Sequence, residues 1–116
     1  MEIVGIIKTK IDKYIMGQRG ARHNLENSIR LVVLYFKFRN VGNLGYLPYS
    51  HYKNLIRYCL SLRDGKTIRR IFDSIIARGL FSINTYGKKK YRKQYLFNPY
   101  DRPHRMRLNR LVDWLD

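Results

Sequence analysis

The sequence predicts an α+β protein, mostly α-helical, and three observations carry that expectation. Apolar residues recur at helical spacing in five segments, each long enough for several turns. Just after Gly79 the period changes from helical to alternating. The alternation is then broken once, by a run of lysines, as in a two-stranded hairpin. At 116 residues the chain is expected to form one domain with one core.

The first helix is expected over residues 2–16, with Ile3, Val4, Ile7, Ile11, Tyr14 and Ile15 on one face. The β-branched run from Ile3 to Ile7 also suits a strand; helix is preferred. A loop, GQRGARH, follows and carries Arg19 and Arg22. Asn24 then suits an N-cap, with Glu26 in the first turn, where the helix dipole favours an acid. The helix over residues 25–39 is apolar almost all round (Ile29, Leu31, Val32, Val33, Leu34, Tyr35, Phe36, Phe38), so it is expected to be the central post of the core. It is too short to cross a bilayer comfortably and carries Arg30, Lys37 and Arg39.

The breaker NVGNLG and a short strand within residues 45–48 come next. Ser50 is the expected cap of a helix over residues 51–62, with Leu55, Tyr58, Cys59 and Leu62 buried and Lys53, Asn54 and Arg57 in solvent. Arg63, Asp64 and Gly65 form a turn. The helix over residues 66–78 has the clearest stripe of all: Ile68, Ile71, Phe72, Ile75 and Ile76. After Gly79, Phe81, Ile83 and Thr85 alternate with Ser82, Asn84 and Tyr86, and Tyr91 to Phe97 alternates again. Pairing Phe81 with Phe97 and Ile83 with Tyr95 leaves a loop of Lys88, Lys89 and Lys90. A last helix is expected after Asp101 or Arg102, with Pro103 in its first turn and Leu108, Leu111, Val112 and Leu115 in a stripe.

Charge narrows the function classes. The chain holds 24 Lys and Arg against 8 Asp and Glu, a formal charge of +16. Such self-repulsion in a small body points to a polyanionic partner. Cations and the ten tyrosines are interleaved over much of the chain, which suits phosphates and bases better than a membrane surface. Cys59 is the only cysteine, so no internal disulfide can form and a reducing, cytoplasmic setting is expected; its ordinary role is that of a small buried hydrophobe. No signal peptide or membrane span is expected. His23, His51 and His104 lack metal-ligand neighbours at helical spacing, and no carboxylate cluster, nucleophile set or phosphate-binding glycine loop stands out. The chain is therefore expected to be non-enzymatic, with no cofactor and no metal.

The order helix, short strand, helix, turn, helix, strand, basic tip, strand, with the stripe TIRRIFDSIIARGLFSI and the tip YGKKKYRK, resembles the winged helix-turn-helix family over residues 24–97. The resemblance makes that segment the core, with residues 1–23 and 98–116 as flanking helical extensions. It implies that the helix over residues 66–78 enters the major groove of double-stranded DNA while the wing, residues 86–93, lies on the phosphate backbone. Helical geometry indicates the same face: at roughly 100° per residue, the side opposite Ile68 and Ile75 holds Lys66, Arg70, Asp73 and Ala77, flanked by Thr67, Arg69 and Ser74. Groove-reading helices use their N-terminal part for bases, which makes Lys66, Thr67, Arg69 and Arg70 the expected readers. Asp73 either accepts from a cytosine amino group or pairs with Arg69 one turn earlier, and the pair is preferred.

In the wing, Lys88, Lys89, Lys90, Arg92 and Lys93 are five cations in six residues. A solvated turn that protects an edge strand needs only one lysine, so phosphate contact is preferred. Arg19, Arg22, Arg102, Arg105, Arg107 and Arg110 read first as a solvated surface. Ile7, Ile11, Leu108, Leu111 and Trp114 are the expected two-fold interface of a homodimer, with packing on their own domain as the alternative. The expected function is sequence-specific duplex binding in transcription regulation. Two rivals share the same features: an RNA-binding or ribosome-associated module, and a protein interaction scaffold.

Overall fold

The computed structural model describes residues 3–17, 24–85 and 93–99. Four helices and a small antiparallel sheet follow one another as α1 (Ile3–Gly17), α2 (Leu25–Phe38), a 3-10 turn (Val41–Leu44), β1 (Leu47–Pro48), α3 (Tyr49–Leu60), α4 (Gly65–Ala77), β2 (Phe81–Thr85) and β3 (Lys93–Phe97). The α+β, mostly helical class expected from the sequence is therefore observed. The expected C-terminal helix, the basic tip between β2 and β3, and the GQRGARH loop lie outside the described residues.

Helix α2 is the post around which the others pack. Asn24 caps it, its side-chain oxygen accepting from the Asn27 backbone N–H at 3.1 Å, with Glu26 in the first turn. Every residue from Leu31 to Phe36 is fully buried, because α1, α3 and α4 all lean on this helix. Helix α1 contributes Ile7 and Ile11, both buried in the same core. The run Ile3 to Ile7 is thus helical, and these two isoleucines of the expected two-fold interface pack within their own chain. Leu108, Leu111 and Trp114 are outside the described residues.

The sheet has the order β1-β3-β2, with both pairs antiparallel. Its register is the expected one: Phe81 faces Phe97 and Ile83 faces Tyr95. A cluster of rings fuses this sheet to the helices. Phe72 of α4 lies 4.9 Å from both Phe81 and Tyr95, centroid to centroid, and Phe36 of α2 lies 5.3 Å from Phe97. Mostly edge-on packing of this kind suits the ring quadrupoles and adds to the area term.

Two joints hold the frame. A Cβ on Gly42 would sit 2.6 Å from the Phe97 carbonyl oxygen, so only glycine lets the 3-10 turn touch the end of β3. At the end of α4, Gly79 has φ +75, the Gly79 N–H donates to the Ile76 carbonyl at 2.9 Å, and the Leu80 N–H reaches back to Ile75 at 3.4 Å. This pair of bonds is a Schellman ending, and it drives Leu80, fully buried, into the core. The local sequence Arg78-Gly79-Leu80 is thus the device that converts a helix into the first strand of the hairpin.

The structure corrects three details of α3. The helix starts at Tyr49, with Pro48 in the cap position and no side-chain cap from Ser50. It stops at Leu60, two residues before the expected end, because Ser61 adopts φ 53, and the turn before α4 runs over residues 61–64, with Gly65 already in α4. Tyr58 is 58% exposed and Leu62 only half-buried; the core-facing residues are Tyr52, Leu55, Ile56, Cys59 and Leu60. The buried stripe is Tyr52, Leu55, Ile56, Cys59 and Leu60, at spacing i, i+3, i+4, i+7, i+8, and Tyr58 lies well off its centre.

Candidate nucleic-acid interface

Helix α4 buries Ile68, Ile71, Phe72 and Ile75 and leaves Lys66, Arg69, Arg70, Asp73 and Ala77 exposed, with Thr67 and Ser74 half-buried at the margin. The stripe read from the sequence has the right face. Along the outer side runs a shallow open trough lined by Gly65, Lys66, Arg69, Arg70, Asp73, Ser74 and Ala77. Six of the ten residues expected to touch nucleic acid are described: five on α4 and Lys93, exposed at the start of β3 opposite Thr85. Lys88, Lys89, Lys90 and Arg92 are outside the described residues.

The residues on α4 are not equivalent. Among the described residues, no hydrogen bond or ion pair engages the side chains of Lys66 or Arg70. Thr67 instead donates its hydroxyl to the Asp64 carboxylate, and the other oxygen of that carboxylate accepts from the Lys66 backbone N–H at 3.1 Å. Asp64 is therefore the N-cap of α4. The Thr67 hydroxyl and the Lys66 amide hold its carboxyl below the usual range. A negative group already occupies the helix N-terminus, so phosphate attraction on this face must come from side chains. The signal for this cap was the spacing Asp64-x-x-Thr67 directly before an apolar stripe.

Arg69 is the most constrained cation of the row. Its Nε stands 3.1 Å from the Asp73 carboxylate, and its guanidinium lies 4.5 Å from the Tyr49 ring centroid and 5.5 Å from that of Phe72. The pairing preferred from the sequence is observed. Burial against these groups acts to lower its basicity, but Asp73 and Tyr95 outweigh that and raise it above its usual value. Tyr49 responds in turn: burial raises its hydroxyl pKa, the Arg69 charge works the other way, and Asp73 and Arg57 also act on it. The guanidinium thus sits where the start of α3, the middle of α4 and the centre of β3 meet. Sequence periodicity could not reveal Tyr49 and Tyr95 as its neighbours, since neither is within one helical turn of it.

Ser74 donates its hydroxyl to the Arg70 carbonyl at 2.7 Å, a bond back along the helix that leaves its oxygen as an acceptor. Arg78 reaches Glu26 at the first turn of α2 and the Ser74 carbonyl at 3.3 Å, so it is a brace between helices rather than part of the row.

Among the described residues no three His, Cys, Asp or Glu side chains converge on a point where a metal could be held. Cys59 is fully buried, its thiol directed at the Leu31 carbonyl 3.8 Å away, and burial pushes its pKa far up, away from the reactive range. Among the described residues no helix is long and apolar enough to cross a membrane. No protein-family model matches the chain, and no curated protein or solved structure is significantly similar to it.

Proposed function

We propose that the chain is a winged-helix protein that binds double-stranded DNA in a sequence-dependent way and regulates transcription by occupying its site. The observation that carries this reading is the outer row of α4: three cations, Lys66, Arg69 and Arg70, exposed along one open trough on a helix whose opposite side is locked into the core. Lys93, exposed at the start of β3, supports it, because the basic run Lys88 to Arg92 directly precedes it in the sequence. In this reading α4 lies in the major groove, where Arg70 and Lys66 reach base edges, and the wing neutralises phosphates. The chain acts without catalysis, cofactor or metal, and its setting is cytoplasmic. A homodimer enters only through the stripe Leu108, Leu111 and Trp114, and a sedimentation mass of one chain at micromolar concentration removes it.

The test is selection of bound sequences from a random duplex pool, followed by affinity at several salt concentrations. A recovered consensus, with a log-log salt slope near roughly −5 for about six phosphates, is the expected result. Recovery of no consensus, with equal affinity for all duplexes, defeats the sequence-dependent reading.

A second reading has one observation behind it. Tyr58 is 58% exposed, a surface ring suited to stacking an unpaired base, although the Lys8 ammonium over one side of it is already engaged by Asp12 and the Cys59 carbonyl. Structured RNA outcompeting duplex DNA would favour that RNA-binding function.

A further inference from the structure

We infer that Asp73 is the residue that sets sequence discrimination on this face, by pairing with Arg69 against Tyr49 and competing with phosphate for its guanidinium. The inference rests on duplex binding by α4 and goes beyond it, because it assigns opposite roles to two adjacent arginines.

The geometry separates them. Arg70 is exposed on the outer row and its side chain has no ion pair among the described residues, so it is available to a base edge. Arg69, one position earlier, faces the hairpin side of the helix. Its Nε is 3.1 Å from Asp73, and its plane is backed by the Tyr49 ring at 4.5 Å. The ring itself is anchored, with its centroid 4.8 Å from that of Phe72, a fully buried core residue. The Arg69 side chain is 46% exposed, so a phosphate can meet it, but must compete with the Asp73 carboxylate for its N–H groups.

The carboxylate acts in a second way. Asp73 is exposed in the same trough as Lys66 and Arg70. A negative charge there opposes every placement of a phosphate along the middle of α4, whatever the sequence. It does not oppose a base edge that donates a hydrogen bond. The backbone is penalised and the bases are not, so affinity is given up on all duplexes and discrimination is gained. A cationic row without this carboxylate would bind any polyanion.

The experiment compares wild type with Asp73→Asn, which keeps the shape and removes the charge, on the duplex recovered by wild type from a random pool and on a scrambled duplex. The expected result is tighter binding of Asp73→Asn to the scrambled duplex by roughly three- to tenfold, as Arg69 gains about one phosphate. Its salt slope steepens by about 0.9, and the ratio between preferred and scrambled duplex narrows. Asp73→Glu, which retains the charge, restores the wild-type slope. Adding Arg69→Ala to Asp73→Asn abolishes the steeper slope, which shows that the gain passes through Arg69. A slope unchanged in Asp73→Asn, or a steeper slope that survives removal of Arg69, overturns the inference while leaving duplex binding intact; relief of the direct carboxylate repulsion leaves only a smaller gain in the double variant. Failure of the wild-type chain to bind any duplex at low salt overturns both. Thermal melting of each variant, expected to match wild type because the pair is exposed, confirms that the comparison is between folded proteins.

Discussion

The Tyr52 hydroxyl donates a hydrogen bond to the Tyr95 backbone carbonyl across 2.7 Å, inside the core and 43 residues away in the chain. It ties α3 to the central strand of the sheet. Through Tyr95 it also reaches the outer face, since that side chain is one of the groups acting on the Arg69 charge. Helix α3 and the central strand β3 are thus held in one frame by a bond that neither element could make alone.

Removing that bond has a defined cost and a defined pH signature. Tyr52→Phe is expected to lower stability by about 0.5–1.5 kcal/mol at neutral pH, the usual net value of an intramolecular hydrogen bond. Burial pushes the Tyr52 hydroxyl up to about 12. In the unfolded chain the phenol ionises near about pH 10, so between these values the folded state holds the extra proton and stability falls as pH rises. The loss amounts to at most about 2 kcal/mol by the upper end of the window. Denaturant melts from pH 9 to 12 should show this fall in wild type and its disappearance in Tyr52→Phe.

Cys59 produces an earlier alkaline loss by the same linkage. Burial raises its thiol well above its usual value, while the unfolded thiol ionises from about pH 8.5. The stabilising contribution is complete below that pH and declines above it. Cys59→Ala should flatten the stability profile between pH 8.5 and 10. A thiol reagent at pH 8 should react with wild type only as fast as the protein unfolds.

Gly42→Ala is expected to destabilise by about 1–3 kcal/mol. The added methyl would meet the Phe97 backbone oxygen, which belongs to a paired strand and cannot turn aside as a side chain would. Chemical denaturation gives the value, and a loss under about 0.5 kcal/mol would show that the 3-10 turn shifts freely.

On the functional side, Arg70→Ala should cost about 1–3 kcal/mol on the preferred duplex and relax specificity there. Replacing Lys88, Lys89 and Lys90 by alanine should weaken all duplexes alike and flatten the salt slope. Fluorescence anisotropy on preferred and scrambled duplexes separates the two behaviours. Equal losses from both variants on both duplexes would remove the division between reading helix and wing.

Much of the architecture was legible because it is written locally. The stripe from Ile68 to Ile75 identifies the buried side of α4, and by subtraction the outer row. Arg78-Gly79-Leu80 specifies the exit, because Gly79 tolerates positive φ and Leu80 needs burial. Alternation in two short segments was enough to set the register of β2 and β3. Where local signals competed, the reading slipped. Ser50 is a better cap than Pro48 by propensity, yet α3 begins at Tyr49 because the ring of Tyr49 packs on Phe72 and that of Tyr52 on Phe72 and Phe81. Tyr58 was assigned to the core by its spacing from Leu55 and Leu62, but the buried stripe centres on Tyr52, Ile56 and Cys59, which leaves Tyr58 outside.

By itself the amino-acid sequence determined the order of the described helices and strands, the buried faces of α2 and α4, the hairpin register and the pairing of Asp73 with Arg69. All of these depend on spacing within a few turns of one element. Only the tertiary structure decided which cations are committed and which are available. Arg69 is held by Tyr49 and backed by Tyr95, Arg78 by Glu26, and Arg70 by no described side chain, because those partners come from elements distant in the chain and meet only when the core closes.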